Sequence, residues 1–96
     1  MADNDLSRDV LEIEIISPRR VIFRGSSDYL EVMTPWGKMG VYPLHAAIIS
    51  LLEPGDIICR TGGSQQTFAA SRGILDCARN RVLILVEEAE QTPPLH

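Results

Sequence analysis

Residue types that commonly form catalytic sites, metal sites or disulfides are scarce in this chain of 96 residues. It has one lysine, one tryptophan, two cysteines and two histidines. Cys59 and Cys77 do not form a C-x-x-C pair, and no histidine cluster lies near either of them. This spacing favours reduced cysteines that act as small apolar strand residues. A disulfide between them is the alternative, and it requires an oxidising compartment.

Long apolar segments are also missing. No run approaches the roughly 18 residues that a membrane-spanning helix needs. The acidic start Met1–Asp5 is not the basic, then apolar, beginning of a signal peptide. The net charge of −4 argues against a nucleic-acid backbone as a partner. We therefore expect a soluble chain that meets a membrane only through other proteins.

Two loops resemble catalytic or phosphate-binding motifs only superficially. Thr61–Ser64 (T-G-G-S) has no lysine after it and no helix to open, so it is typical of a hairpin turn. Ser71-Arg72-Gly73 lacks the G-x-S-x-G elbow and a nearby histidine, which argues against a nucleophilic serine. The sequence therefore predicts no catalytic residue in either loop.

Acidic residues and the one internal histidine give no stronger signal. Glu12 and Glu14 alternate with apolar residues, and Glu87, Glu88 and Glu90 are clustered, so both groups are typical of solvated faces. His45 stands alone, whereas a metal site needs three or four convergent ligands. His45 is either a packed, hydrogen-bonded residue or an interface residue. We expect no metal site and no cofactor.

What the sequence does contain is a series of short strand patterns separated by turn residues. Val10–Ile16 alternates apolar and polar residues, as a half-buried strand does. Gly37 and Gly40 flank Lys38-Met39, which we interpret as a hairpin tip or a bulge. The other predicted strands are Val21–Arg24, Tyr29–Met33, Ala46–Leu52, Ile57–Arg60, Gln65–Ala70, Gly73–Cys77 and Val82–Val86.

These patterns predict an all-β domain of about eight to ten short strands, either an antiparallel β-sandwich or a flattened barrel. We expect a flexible segment at 1–9, one domain at 10–90 and a tail at 91–96. We expect Glu87–Glu90 to leave the fold towards solvent.

Two predicted strands are apolar on both faces, although a sandwich sheet turns one face to water. They are Ala46–Leu52 and Val82–Val86. Either another part of the domain covers their outer faces, or these faces form a docking surface for another protein. The same two alternatives apply to Trp36, because a tryptophan in a turn either folds back onto the domain or anchors an interface.

Several segments in order along the chain resemble the N-terminal β-sandwich domain of the epsilon subunit of F-type ATP synthases. The resemblance covers about residues 10–90. Its specificity comes from several elements in the right order and spacing, one of which resembles the family's glycine–proline–histidine signature. The segments that carry it are Leu11–Pro18, Gly37–Ala46, Pro54-Gly55, Ser71–Leu75 and Arg81–Leu85.

The resemblance implies a non-catalytic rotor subunit. Such a domain packs beside the gamma subunit and stands on the membrane ring of c subunits, which couples ion-driven rotation to ATP synthesis or hydrolysis. It implies a peripheral location at the cytoplasmic face of the bacterial inner membrane. By motif position, residues expected towards gamma are Ser17, His45 and Ile49. Those expected towards the c ring are Gly37, Lys38, Met39 and Gly40.

Some positions depart from the family pattern. Leu44 stands where the family usually has glycine, Ala47 where it often has proline, and Lys38 where an acidic residue is common. Typical members continue into a C-terminal helical hairpin that can inhibit hydrolysis and, in some bacteria, binds ATP. Pro93-Pro94 leads us to expect no such hairpin. Leu75–Arg79 resembles its L-D-x-x-R motif but falls at a β-hairpin, so we expect no ATP binding.

A second reading belongs to a different class of protein. In it, the chain is a free-standing β-barrel that binds a small ligand, and the glycine turn at Gly37–Gly40 forms the mouth of its pocket.

Overall fold

The computed structural model describes residues 9–93, and every regular element in this range is a strand. Most of the segment 1–9 that we predicted to be flexible, and the end of the predicted tail, lie outside the described residues. No helix in the described range is long and apolar enough to cross a membrane. The ten strands are β1 (Leu11–Ile16), β2 (Val21–Ser27), β3 (Tyr29–Thr34), β4 (Gly37–Val41), β5 (Ile48–Leu52), β6 (Gly55–Thr61), β7 (Ser64–Ala70), β8 (Gly73–Ala78), β9 (Arg81–Val86) and β10 (Ala89–Thr92).

The strands form two sheets of five strands each. Sheet A has the order β2-β1-β9-β8-β5, and sheet B has the order β10-β7-β6-β3-β4. The predicted all-β sandwich is confirmed. The two sheets remain separate with open edges, so the described residues do not form the closed barrel that was the alternative.

One strand pair departs from the predicted antiparallel pattern. β1 and β9 lie parallel, with Ile13 beside Val82 and Ile15 beside Ile84. The other strand pairs in the two sheets are all antiparallel. The hairpin β8–β9 packs beside the hairpin β1–β2, and this arrangement sets the two strands side by side in the same direction. Periodicity within one strand contains no information about that choice of neighbour.

The core lies between the sheets and follows the alternation along each strand. From sheet A, Leu11, Ile13 and Ile15 are almost fully buried. From sheet B, Phe68 is 1% exposed, and its ring centroid lies 5.1 Å from that of Phe23. Each such side chain contributes roughly 1.5 to 3 kcal/mol by leaving water. Interdigitation of these two inner faces therefore fixes which face of each sheet is buried.

The turn between β3 and β4 lies at a different place from our prediction. Lys38 and Met39 are inside β4, so the prediction of a hairpin tip or bulge there is wrong. Thr34 pairs with Gly37, and the tip is Pro35-Trp36. The Thr34 hydroxyl accepts from the Trp36 N–H at 3.1 Å and donates to the Gly37 carbonyl at 2.8 Å. This side-chain bonding, together with a φ of 115° at Gly37, closes the turn early.

The segment after β9 also differs from the prediction, because it returns to sheet B instead of leaving the fold. β10 pairs with β7, and Ala89 at its start is 1% exposed. The Ser71 hydroxyl accepts from the N–H groups of Glu87 and Glu88, at 3.0 Å each. Arg20 donates to the Ala89 carbonyl at 3.0 Å. The role of Ser71 is therefore structural, because its hydroxyl stabilises the connection between β9 and β10. β5 is also shorter than predicted, since it begins at Ile48.

The two cysteines are free and buried, as we predicted, and they lie in different sheets. Burial raises the pKa of the Cys59 thiol from its ordinary value of 9.0 to about 11, and this effect of burial outweighs the opposite effect of the nearby Ser27 side chain. Burial, and then the charge of Asp76, also raise the pKa of Cys77. Both thiols therefore stay protonated at neutral pH and are poor nucleophiles.

We predict that Gly73→Ala destabilises the fold by about 2 to 3 kcal/mol in urea denaturation. A Cβ at this position would overlap the carbonyl oxygen of Leu85, a backbone atom that cannot move aside without breaking the sheet. Gly63→Ala is the matched control, because a Cβ there meets nothing within 4 Å. Equal effects of the two substitutions would contradict the close-approach explanation.

We predict that stability falls as the pH rises from about 9 to about 11. The Cys59 thiol has a higher pKa in the folded chain than in the unfolded chain, so its contribution is complete below the unfolded value and is lost above it. The loss from Cys59 reaches about 2 kcal/mol near pH 10.5. Urea titrations across this range should show a shallower pH dependence for Cys59→Ala. An identical dependence for both proteins would contradict the assignment.

Candidate functional site

The outer face of sheet A presents a row of aliphatic side chains that crosses all five strands. Strand register sets Leu51 beside Ile74, Ile74 beside Leu85, Leu85 beside Ile16, and Ile16 beside Val21. We call these five residues the aliphatic row. With neighbouring strands about 4.8 Å apart, the row is about 19 Å long.

The aliphatic row is open to solvent in the described chain. Leu51 is 61% exposed, and Val21, Ile74 and Leu85 are each close to half exposed. The prediction that β9 is apolar on both faces is confirmed, since Ile84 points into the core and Leu85 points outwards. No described segment covers the outer face of β9, so the first of our two alternatives does not apply. A contiguous exposed apolar surface of this kind marks an interaction site.

Charged side chains lie beside the aliphatic row on the same face. Glu14 stands opposite Arg24, and the Arg24 Nε donates to its carboxylate at 2.6 Å. Glu12 accepts from the Ser26 hydroxyl at 3.0 Å. Asp76 is exposed between Ile49 and Leu83. Among the described residues, no group of three potential ligands could hold a metal ion. Glu12 and Asp76 are exposed, so the acids beside the aliphatic row form a solvated rim.

Two of the residues expected towards gamma lie on or near this face. Ile49, on β5, is 74% exposed and neighbours the aliphatic row. His45 precedes β5, and its ring Nδ1 lies 2.6 Å from the carbonyl oxygen of Ala46. The imidazole lines a shallow groove together with Glu12 and Arg81. The structure thus brings His45 and Ile49 to the β5 side of sheet A.

Ser17, the third of these residues, is placed differently. It follows the end of β1 and is only 5% exposed. Its hydroxyl donates to the Arg20 carbonyl and accepts from the Arg19 N–H, both at 3.3 Å. The Ser17 side chain is therefore engaged in the β1–β2 turn, and a partner would meet mainly the turn around it.

The residues expected towards the c ring form most of β4, an edge strand of sheet B. The Lys38 side chain is 72% exposed, and its Nζ lies 3.9 Å from a carboxylate oxygen of Glu31. Met39 is directed inwards and packs against the core. At Gly40 an added Cβ would lie 2.8 Å from the Tyr29 ring, which makes glycine the fitting residue. Only Lys38 among the four offers a side chain to a partner.

Trp36 completes this second surface at the tip of the β3–β4 hairpin. Its side chain is 87% exposed, so it does not fold back onto the domain. Gly37, which has a positive φ, follows Trp36 and precedes Lys38. The hairpin therefore offers one large aromatic group at its tip and one cation at the start of β4.

Sequence reasoning missed an aromatic cluster on the outer face of sheet B. The ring centroids of Tyr29 and Tyr42 are 4.8 Å apart, and the Arg60 guanidinium lies 4.9 Å from the Tyr29 centroid. The Tyr29 hydroxyl donates to Glu31 at 3.0 Å. Desolvation and then this bond raise the pKa of Tyr29. Only the register of β3 and β6 pairs Tyr29 with Arg60, so no local pattern could have found the cluster.

Two loops meet at Leu44 and Asn80, both in the left-handed region. Leu44 has φ 71°, and its N–H donates to the Asn80 side-chain oxygen at 2.6 Å. Asn80 and Arg79 have φ 64° and 55°, the signature of a two-residue β8–β9 hairpin turn. Leu44 is the position where the resemblance led us to expect glycine, and its conformation is one that glycine adopts without strain.

Comparison with known proteins assigns the family. The sequence model described as "ATP synthase, Delta/Epsilon chain, beta-sandwich domain" matches residues 10–92. The chain belongs to this family. The match extends to the last residue of β10, two residues beyond the domain boundary that we expected.

Two relatives are both named "ATP synthase epsilon chain". The one from Chloroflexus aggregans is 33% identical over 81 residues, which are 84% of this chain and 58% of that protein. The one from Aquifex aeolicus is 31% identical over 86 residues, which are 90% of this chain and 64% of that protein. The chain thus spans less than two thirds of the length of these relatives.

Solved structures share the fold. A chain of the Euglena gracilis mitochondrial ATP synthase structure (OSCP/F1/c-ring) superposes with a TM-score of 0.81 at 21% identity, over 86% of this chain and 54% of that chain. A chain of the central stalk/c-ring structure from Tetrahymena thermophila superposes with a TM-score of 0.71 at 16% identity, over 82% and 64%. Both support the sandwich architecture found here.

We predict that Leu44→Gly leaves the domain as stable as before or stabilises it by up to about 1 kcal/mol. Glycine removes a left-handed penalty of about 1 to 2 kcal/mol, partly offset by the greater freedom of the unfolded chain. The Leu44 side chain is 75% exposed, so little packing is lost. Leu44→Ala, which keeps the strained φ, is the control and should not gain stability. Thermal unfolding of both variants measures the difference in stability. A larger loss of stability in Leu44→Gly than in Leu44→Ala would contradict the explanation by backbone strain at Leu44.

Proposed function

We propose that this chain is the non-catalytic central-stalk subunit of an F-type ATP synthase, which links the gamma subunit to the c ring. In that role it transmits ion-driven rotation to the catalytic head and performs no chemistry itself. The observation that carries the proposal is the open aliphatic row on a domain of the delta/epsilon family. The names of the relatives support the choice of complex.

Sheet A is the surface that we assign to gamma. It combines the aliphatic row with Ile49 and the His45 groove, and its charged rim holds both signs. An apolar centre with a polar rim is the usual anatomy of a stable protein interface. Ser17 contributes through the β1–β2 turn, since its hydroxyl is already bonded within that turn.

The β3–β4 hairpin is the surface that we assign to the c ring. Its tip and β4 belong to sheet B, so they are separate from the aliphatic row of sheet A. A linking subunit needs two separate contact surfaces, and this arrangement supplies them. Trp36 is the aromatic anchor, and Lys38 gives this surface a positive charge that its weak pair with Glu31 leaves available.

The proposed location follows from the complex. The chain lies at the periphery of the bacterial inner membrane, on the cytoplasmic face, and contacts the membrane only through its partner subunits. It binds no nucleic acid and needs no cofactor for this role.

The segment Leu75–Arg79, which resembles the L-D-x-x-R motif, lies in β8 and in the turn after it. It is therefore part of sheet A and its last hairpin.

The ligand-binding barrel receives less support. Such a protein needs a lumen, whereas the space between the two sheets is filled by residues such as Phe68 and Leu30. Gly37 and Gly40 lie on an edge strand of sheet B, and the groove lined by His45, Glu12 and Arg81 is on sheet A. The rotor role is therefore the function that the geometry supports best.

We predict that Ile49→Asp weakens binding to the cognate gamma subunit by at least about tenfold, since a carboxylate would be buried against an apolar partner. Isothermal titration calorimetry with purified gamma measures the dissociation constant. His45→Asp should weaken binding less, because His45 borders the apolar centre. Gln65→Asp is the matched control, an exposed position on β7 of sheet B beside Arg60.

Circular dichroism of each variant separates binding from folding. Ile49 is largely exposed, so its replacement should leave the thermal midpoint nearly unchanged. Wild-type protein that remains unbound to gamma at micromolar concentration would refute the rotor role. Binding that persists in Ile49→Asp would refute only the assignment of sheet A to gamma, and the rotor role would remain.

A further inference from the structure

Leu44 combines a strained backbone with a side chain that packs against little of its own domain. It is the third residue of a β-turn in which the His45 N–H donates to the Tyr42 carbonyl at 3.2 Å. Its φ is 71°, and Pro43 precedes it. Proline followed by a positive φ is the pattern of a type II turn. That turn favours glycine at its third position, because a side chain in the left-handed region crowds its own backbone.

The Leu44 side chain does not offset this strain within the domain. It is 75% exposed, so hydrophobic burial contributes little at this position. The turn is nevertheless held in place, since the Leu44 N–H donates to the Asn80 side-chain oxygen at 2.6 Å. The Asn80 carbonyl in turn accepts from the Glu12 N–H at 2.7 Å. The domain therefore presents an exposed leucine from a backbone conformation that glycine would adopt more easily.

Leu44 lies at the opposite end of the sheet A face from the aliphatic row. Its partner Asn80 belongs to the β8–β9 turn, and His45, the next residue in the chain, lines the groove on sheet A. Along β1, Glu12 lines that groove and Ile16 belongs to the aliphatic row. These two residues are four positions apart, which is about 13 Å in a strand. Leu44 is thus a second exposed apolar point, separate from the aliphatic row.

We propose that Leu44 is an anchor residue for the gamma subunit, and that gamma presents an apolar pocket in which the leucine side chain is buried. The inference rests on the proposed function and extends it to a residue outside the aliphatic row. His45 and Ile49 belong to the surface that we assign to gamma, and Leu44 continues this surface past the end of β5. A large apolar side chain that fills a pocket on the partner is the usual form of an interface anchor.

The position of Leu44 selects gamma, and not the c ring, as its partner. The hairpin tip that we assign to the c ring precedes β4, whereas Leu44 comes three residues after Val41 at the end of β4. A strand of five residues is about 16 Å long, so the two sites are well separated. A held turn also favours binding, because little conformational freedom remains to be lost when the anchor is buried.

Isothermal titration calorimetry with purified cognate gamma tests the proposal. Leu44→Gly should raise the dissociation constant by about 10- to 100-fold, the effect of losing one buried leucine side chain. Leu44→Asn should have a similar effect, because asparagine is found in the left-handed region but is polar. Leu44→Met keeps an apolar side chain and should bind far more tightly than either. Ala69→Asn is the matched control, an exposed position on β7 of sheet B, and should leave the dissociation constant unchanged.

Thermal unfolding of the same variants separates a lost contact from a folding defect. Leu44→Gly and Leu44→Asn relieve the backbone strain, so both should be at least as stable as wild type while they bind gamma more weakly. A residue needed only for the fold would lose stability and binding together.

Chemical protection tests burial directly. The thiol introduced by Leu44→Cys should react with iodoacetamide at least about tenfold more slowly when gamma is in saturating excess, because the reaction requires access to the sulfur. The thiol introduced by Ala69→Cys should react at the same rate with and without gamma. Cys59 and Cys77 are buried and do not compete for the reagent.

The outcomes distinguish this inference from the proposed function. Wild-type protein that binds gamma, with Leu44→Gly and Leu44→Asn binding equally well, would overturn the anchor and leave the rotor role intact. Weaker binding of Leu44→Gly alone would indicate an effect of backbone freedom, and it would also overturn the anchor. So would an introduced thiol at this position that stays equally reactive in the complex. Wild-type protein that does not bind gamma would refute both proposals.

Discussion

Packing of two five-stranded sheets against each other is the interaction on which the rest of the structure depends. The inner faces meet through side chains such as Ile13, Ile84 and Phe68, which are at most 1% exposed. Two layers can bury only one face of each sheet. Apolar residues on the outer face of a strand are then left on the surface, and in sheet A one such residue from each strand contributes to the aliphatic row. The exposed face is a direct consequence of how the core is built.

Close backbone contacts hold the corners of this sandwich. Gly73 lies where the Leu85 carbonyl leaves no room for a Cβ, and Ser71 bonds to the N–H groups that begin the return to sheet B. At the other end, Asn80 connects the β8–β9 turn to Leu44 and, through its carbonyl, to the N–H of Glu12 at 2.7 Å. Segments that suggest catalytic motifs in the sequence are thus structural, and the function that we propose depends on the surfaces between them.

Those surfaces suit the linking role that we propose. That role requires two separate contact surfaces, and the two sheets of the sandwich carry one each. Sheet A offers an apolar face with a charged rim, and the β3–β4 tip offers Trp36 and Lys38 at a separate place. Neither of them requires a buried acid or a metal ligand.

The amino-acid sequence by itself determined the all-β class, most strand positions, the hairpin at Gly62-Gly63 and the two-faced apolar character of β9. These are local properties, because alternation and turn chemistry act over a few residues. It also carried the family resemblance, through Gly37–Ala46 and Ser71–Leu75. Four features come from the packing of distant segments: β1 and β9 run parallel, Thr34 closes the turn before Gly37, Ala89 returns to sheet B, and Tyr29 meets Arg60. Each depends on which strand lies beside which, and that choice comes from the shared core, to which distant residues contribute together.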